Sequence, residues 1–186
     1  MVPPAGEKEN KIVSMNLSNQ LRKEHSKNNC LKVVKWVGNS PARLASLLDL
    51  FLSDEYRMVQ LAAWPLSYVA QAHPEMIRKH LPSIIRNLQR TDTHPAARRN
   101  TMRLLQYVEI PKKYQGLVMD RCFTYICDPK EKAAVKAFSL TVLENLSTQY
   151  PDIRNELCSI IEDRWDSETP AFRSRARKVL QTVKPK

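Results

Sequence analysis

Glycine is nearly missing from this chain: Gly6, Gly38 and Gly116 are the only three among 186 residues. Loops that cradle phosphates need clustered glycines so that backbone N–H groups can approach the anion, and this scarcity argues against nucleotide hydrolysis. Cysteine is equally sparse. Cys30, Cys122, Cys127 and Cys158 show no CxxC spacing. Cys122 and Cys127 are five apart on a predicted helix, which turns them away from a shared metal, and all four are expected to be small buried residues. His25, His73, His80 and His94 are scattered without triad or metal spacing and are expected to be structural or solvent-facing. No metal or other cofactor is expected. There is no apolar run of 18 residues, and the first ten residues lack a basic-then-apolar leader. A cytoplasmic chain without membrane contact is therefore expected.

What is present is helical periodicity. In the stretch 77–108, Ile77, Leu81, Ile84, Ile85 and Leu88 form one apolar stripe with Pro82 inside it, predicting one helix. Residues 89–94 are polar and predict a turn. Ala97, Thr101, Leu104, Leu105 and Val108 form a second stripe, with Arg98, Arg99 and Arg103 elsewhere on that helix. Neither helix can bury its stripe alone. The unit recurs: Asp54, Asp92, Asp128 and Asp166 mark turns at steps of 38, 36 and 38 residues. Leu66, Leu105, Leu143 and Leu180 repeat at 39, 38 and 37 in the second helices. Four helical hairpins thus fill the chain from about residue 40 onward.

The Trp/Leu-Gly and Thr-Pro-Leu-His signatures of tetratricopeptide and ankyrin arrays are absent. Leu81-Pro82, the apolar run to Leu88, Asp92, Ala97-Arg98 and Leu104-Leu105 resemble a HEAT repeat. Over residues 40–183 the chain is similar to small bacterial single-domain HEAT-repeat proteins. The expected fold is all-α: an α-α superhelix of about four stacked HEAT-like hairpins behind an N-terminal helical cap.

At 42% hydrophobic content the chain can bury a sizeable core as one domain. Residues 1–14 hold nothing to pack and predict a flexible tail. Residues 15–39 predict the cap, with Gly38 as a helix stop. Residues 40–184 predict the repeat domain. Ser40-Pro41 has the pattern of an N-cap followed by a first-turn proline, and Ser53 or Asp54, Asp128-Pro129 and Pro151-Asp152 are expected to open later helices. Pro65 falls inside a helix and predicts a kink.

Lys and Arg number 30 against 19 Asp and Glu, a net charge of +11. The excess is spread along the chain, with a concentration in the second hairpin, where residues 74–110 hold seven Lys/Arg against three Asp/Glu. Arg98, Lys136 and Arg173 share one repeat position, Arg99 and Arg103 lie close to the first, and Arg177 belongs to the basic last helix. Second helices usually line the concave face of HEAT arrays, so the resemblance implies a basic groove for an acidic partner. A protein partner of a monomeric, non-enzymatic scaffold is the leading expectation. Nucleic acid is the alternative, since Trp64, Tyr68 and Tyr107 form an expected aromatic row beside Arg99 and Arg103, and interleaved aromatic and basic groups stack bases and hold phosphates.

A structural role competes. In HEAT repeats a turn Asp pairs with a following Arg, and Asp92 with Arg98 has that spacing. HEAT-like alkylpurine DNA glycosylases place an Asp one turn after a Trp, but Ser40, Tyr68 and Thr169 follow the three tryptophans here at that distance. No catalytic residue carries over. The acidic cluster Glu162, Asp163, Asp166 and Glu168 is expected to pair with Arg173, Arg175, Arg177 and Lys178 across the last hairpin.

Overall fold

The computed structural model describes residues 15–90 and 94–184. The expected tail at 1–14, the Asp92 partner for Arg98 and the final Pro185-Lys186 lie outside the described residues. The helices in order are α1 (Leu17–Lys23), α2 (Lys27–Val37), α3 (Pro41–Phe51), α4 (Tyr56–Ala72), α5 (Pro74–Ile77), α6 (Leu81–Asn87), α7 (Pro95–Leu105), α8 (Lys112–Cys127), α9 (Ala133–Leu146), α10 (Ile153–Asp163) and α11 (Pro170–Val183). No strand occurs among the described residues.

Local chemistry sets most helix ends. Ser26 Oγ accepts from Asn29 N at 3.1 Å, Ser40 Oγ from Arg43 N at 3.4 Å, and Thr169 Oγ1 from Phe172 N at 3.3 Å. Each hydroxyl satisfies an amide that has no carbonyl partner in the first turn. Pro41, Pro95 and Pro170 sit in first turns, where a missing N–H costs nothing. Gly38 ends α2 at φ +46°, a backbone region that side chains with Cβ rarely adopt.

Three expected helix boundaries move. The stretch 77–88 is not one helix: α5 ends at Ile77, Arg78–His80 forms a 3₁₀ turn, and α6 starts at Leu81. Pro82 has no N–H, and its ring would collide with the carbonyl four residues back, so the chain restarts and places Pro82 in a first turn. Asp128 closes α8, and α9 opens at Ala133 after Lys132. The Asp128 carboxylate accepts from Lys130 N at 2.8 Å, which stabilises a turn and competes with capping. Glu55 precedes α4 without a side-chain cap, because Ser53 Oγ donates to Leu50 O at 2.9 Å. Helix α4 nevertheless continues through Pro65 from Tyr56 to Ala72.

The second helices pack one against the next, α4 on α7, α7 on α9 and α9 on α11, and α2 extends this row by packing on α4. The hairpin partners α3, α8 and α10 back α4, α9 and α11, while α6 reaches α8. The architecture is an all-α solenoid in which each unit is buried by its neighbours. Leu66, Leu105 and Leu143 are buried along the row, and Leu180 on α11 is only partly covered. Each fully buried leucine contributes about 1.5–3 kcal/mol relative to exposure.

Cysteine burial splits. Cys30 and Cys122 are buried, but Cys127 is exposed and Cys158 is half-buried, and all four thiols are free. Position within a helix, rather than residue type, decides which face they take. Burial pushes the Cys30 thiol up to about 12, with Arg103 opposing it in part, so it stays protonated at neutral pH.

Candidate aromatic and cationic cleft

The cationic positions singled out in the sequence separate into two groups. Arg98 donates through Nη1 to Glu131 Oε2 at 2.7 Å, and its guanidinium lies 5.6 Å from the Tyr125 ring centre. Lys136 is buried, with Nζ 2.5 Å from Glu168 Oε1. Arg164 donates to the same oxygen from Nε at 3.1 Å and Nη2 at 2.9 Å. These are rungs between successive units: a cation on one second helix meets a carboxylate in the turn before the next. Buried Ser67 and Asn100, with Oγ 3.4 Å from Oδ1, make the corresponding contact between α4 and α7.

Burial alone would raise the Glu168 carboxyl, but hydrogen bonds from Lys136 and Arg164, reinforced by their charges, hold it below the ordinary range. The acidic cluster therefore pairs differently from expectation. Glu168 faces Lys136 of the preceding unit, and Glu162 meets Lys184 at 2.7 Å. Arg177 instead lies 5.3 Å over the Trp165 ring, and Arg173 is partly exposed on α11.

Arg99 and Arg103 have another setting. They line a cleft of about 430 Å³ with His25, Trp64, Asn100, Ala134 and Phe138. The α1–α2 loop supplies His25, α4 supplies Trp64, α7 supplies Arg99, Asn100 and Arg103, and α9 supplies Ala134 and Phe138. Arg99 is exposed. The Arg103 guanidinium rests 4.5 Å from the Tyr68 ring centre. Trp64 lies between His25, at 5.3 Å, and Tyr68, at 6.4 Å, with the rings tilted by 52° and 53°. None of the lining residues is a carboxylate.

Tyr107 does not join this row. It is exposed at the far end of α7 and borders a separate cavity with Pro74, Arg78 and Val108. The repeat step aligns Tyr107 with Tyr68, but α7 ends at Leu105 while α4 runs to Ala72, so equivalent residues stand on different backbone. His25 and Phe138 were not expected at the site. His25 arrives from a loop whose distance in sequence hides its position, and Phe138 falls at a position that periodicity assigns to the core. A further cavity of about 180 Å³ lies among Phe51, Tyr56, Asn87 and His94. Its edges include an Asp54–Arg90 ion pair at 3.0 Å and a Tyr56–His94 ring contact at 3.9 Å.

A row of second helices, joined at intervals of 32 to 33 residues by side-chain rungs, is repeat architecture at the level of individual bonds. Residues 17–183 match the HEAT repeat domain family. The chain belongs to that family. No curated protein and no solved structure matches it. The HEAT match begins at the residue that opens α1, so the helices before residue 40 fall within the matched region. HEAT repeats form helical scaffolds that often mediate protein interaction. No helix among the described residues is long and apolar enough to cross a membrane.

Proposed function

We propose that this HEAT protein is a non-catalytic scaffold that holds an acidic partner on the second-helix row, with the cleft at Arg99 and Arg103 as the contact site. The observation that carries this reading is the separation of the cations. Arg98 and Lys136 are neutralised by Glu131 and Glu168, whereas Arg99 and Arg103 border a carboxylate-free cleft. An anion entering the cleft meets positive charge that no acid among the lining residues cancels.

The test is a fluorescence-anisotropy titration with a labelled polyglutamate peptide and a labelled oligonucleotide at low salt. Arg99→Ala together with Arg103→Ala is expected to weaken binding of the preferred polyanion by about tenfold or more and to flatten its salt dependence. Unchanged affinity in the double variant would eliminate the cleft as the contact site.

A further inference from the structure

We infer that the ligand of this cleft is single-stranded nucleic acid, with phosphates on the α7 arginines and unpaired bases against the aromatic flanks. The inference rests on the anion-binding reading above and names its chemistry. Helices α4, α7 and α9 lie side by side, and packed helices stand about 8–10 Å apart. The cleft therefore presents an aromatic flank at Trp64, a cationic centre at Arg99 and Arg103, and a second aromatic flank at Phe138.

Both flanks keep aromatic surface open where their neighbours are covered. Trp64 is partly exposed although Ala63, Pro65 and Leu66 are buried, and Phe138 is partly exposed although Val135 and Ser139 are buried. Tyr68 holds the Arg103 guanidinium by its face, which leaves N–H donors at the edge for a phosphate.

Single strands use this combination: a backbone follows positive charge while bases stack on aromatic rings without sequence reading. A duplex keeps its bases stacked inside and offers these rings nothing. An acidic peptide would satisfy the arginines but leave the flanks without a flat partner. The volume of about 430 Å³ falls within the roughly 300–1,000 Å³ of small-ligand pockets, enough to receive a splayed base.

The deciding experiment titrates the full chain with labelled RNA and DNA single strands of about ten nucleotides. Controls are an abasic strand of equal length, a duplex and the polyglutamate peptide. Single strands are expected to bind about tenfold tighter than the abasic strand and the duplex, and to quench fluorescence that Trp64→Phe removes. Trp64→Leu should lose about tenfold, while Trp64→Phe stays within about threefold. Arg99→Ala should reduce the log-log salt slope by about 0.7.

Equal binding of the abasic strand, or full affinity in Trp64→Leu, would overturn the nucleobase assignment and leave the anion-binding reading standing. Preference for polyglutamate with sensitivity to Arg99→Ala would do the same. Binding of none of the probes would remove both. Should Trp64→Leu unfold, quenching of the wild-type chain by the normal strand and not by the abasic one supports the assignment, and equal quenching overturns it.

Discussion

Glu168→Ala is expected to destabilise the protein by about 3–5 kcal/mol, because it strands the buried Lys136 ammonium without a counter-charge. Lys136 would keep its desolvation cost and lose the carboxylate that accepts its hydrogen bond. Lys136→Met should cost clearly less: it removes the buried charge with the pair, fills the space with an apolar side chain, and leaves Glu168 bonded to Arg164. Urea denaturation of both variants checks the ordering. A Glu168→Ala chain within about 0.5 kcal/mol of wild type would show that the pair contributes little.

The same cluster sets an acid sensitivity. The folded Glu168 carboxyl is held below its unfolded value by Lys136 and Arg164 after burial has opposed them. Its contribution is fully present above the ordinary carboxylate value of the unfolded chain and disappears as pH falls through the lower folded value. Glu168→Gln should therefore flatten the loss of stability in that acidic window, measured by thermal melting across a pH series.

Met102→Ala is expected to cost about 2–5 kcal/mol, the usual range for emptying a fully buried site of this size. Met102 lies on α7, which packs on α4 on one side and on α9 on the other. In a stacked array each unit draws its stability from its neighbours, so weakening the middle helix should loosen the two ends from each other. Chains that retain only Trp64 or only Trp165 would report the two ends separately during urea unfolding. Their midpoints should coincide in the parent protein and separate in Met102→Ala. Coincident midpoints in the variant would mean that α4 and α9 stay coupled without tight packing at α7.

The rungs show where reasoning from spacing succeeds and where it stops. A cation at Arg98 and Lys136 once per unit is visible in the sequence, and so is the need for a partner. Which carboxylate answers is not visible. Glu131 and Glu168 lie 33 and 32 residues downstream, across a unit boundary, where no helical period connects donor and acceptor. The Pro82 restart escapes the sequence pattern for a different reason: an apolar stripe persists through a 3₁₀ turn, so periodicity alone does not register the break.

The amino-acid order alone determined helix type, the spacing of the repeats, the burial of Leu66, Leu105 and Leu143 in the second helices and the caps at Ser40 and Gly38, because all depend on neighbours within one or two turns. Only the tertiary structure decided which cations pair with carboxylates and which meet aromatic rings. His25, Trp64, Arg103 and Phe138 come from a loop and three helices, and their proximity follows from the stacking of whole units. Helical periodicity specifies which face of each helix is apolar, but not what stands opposite it across the gap.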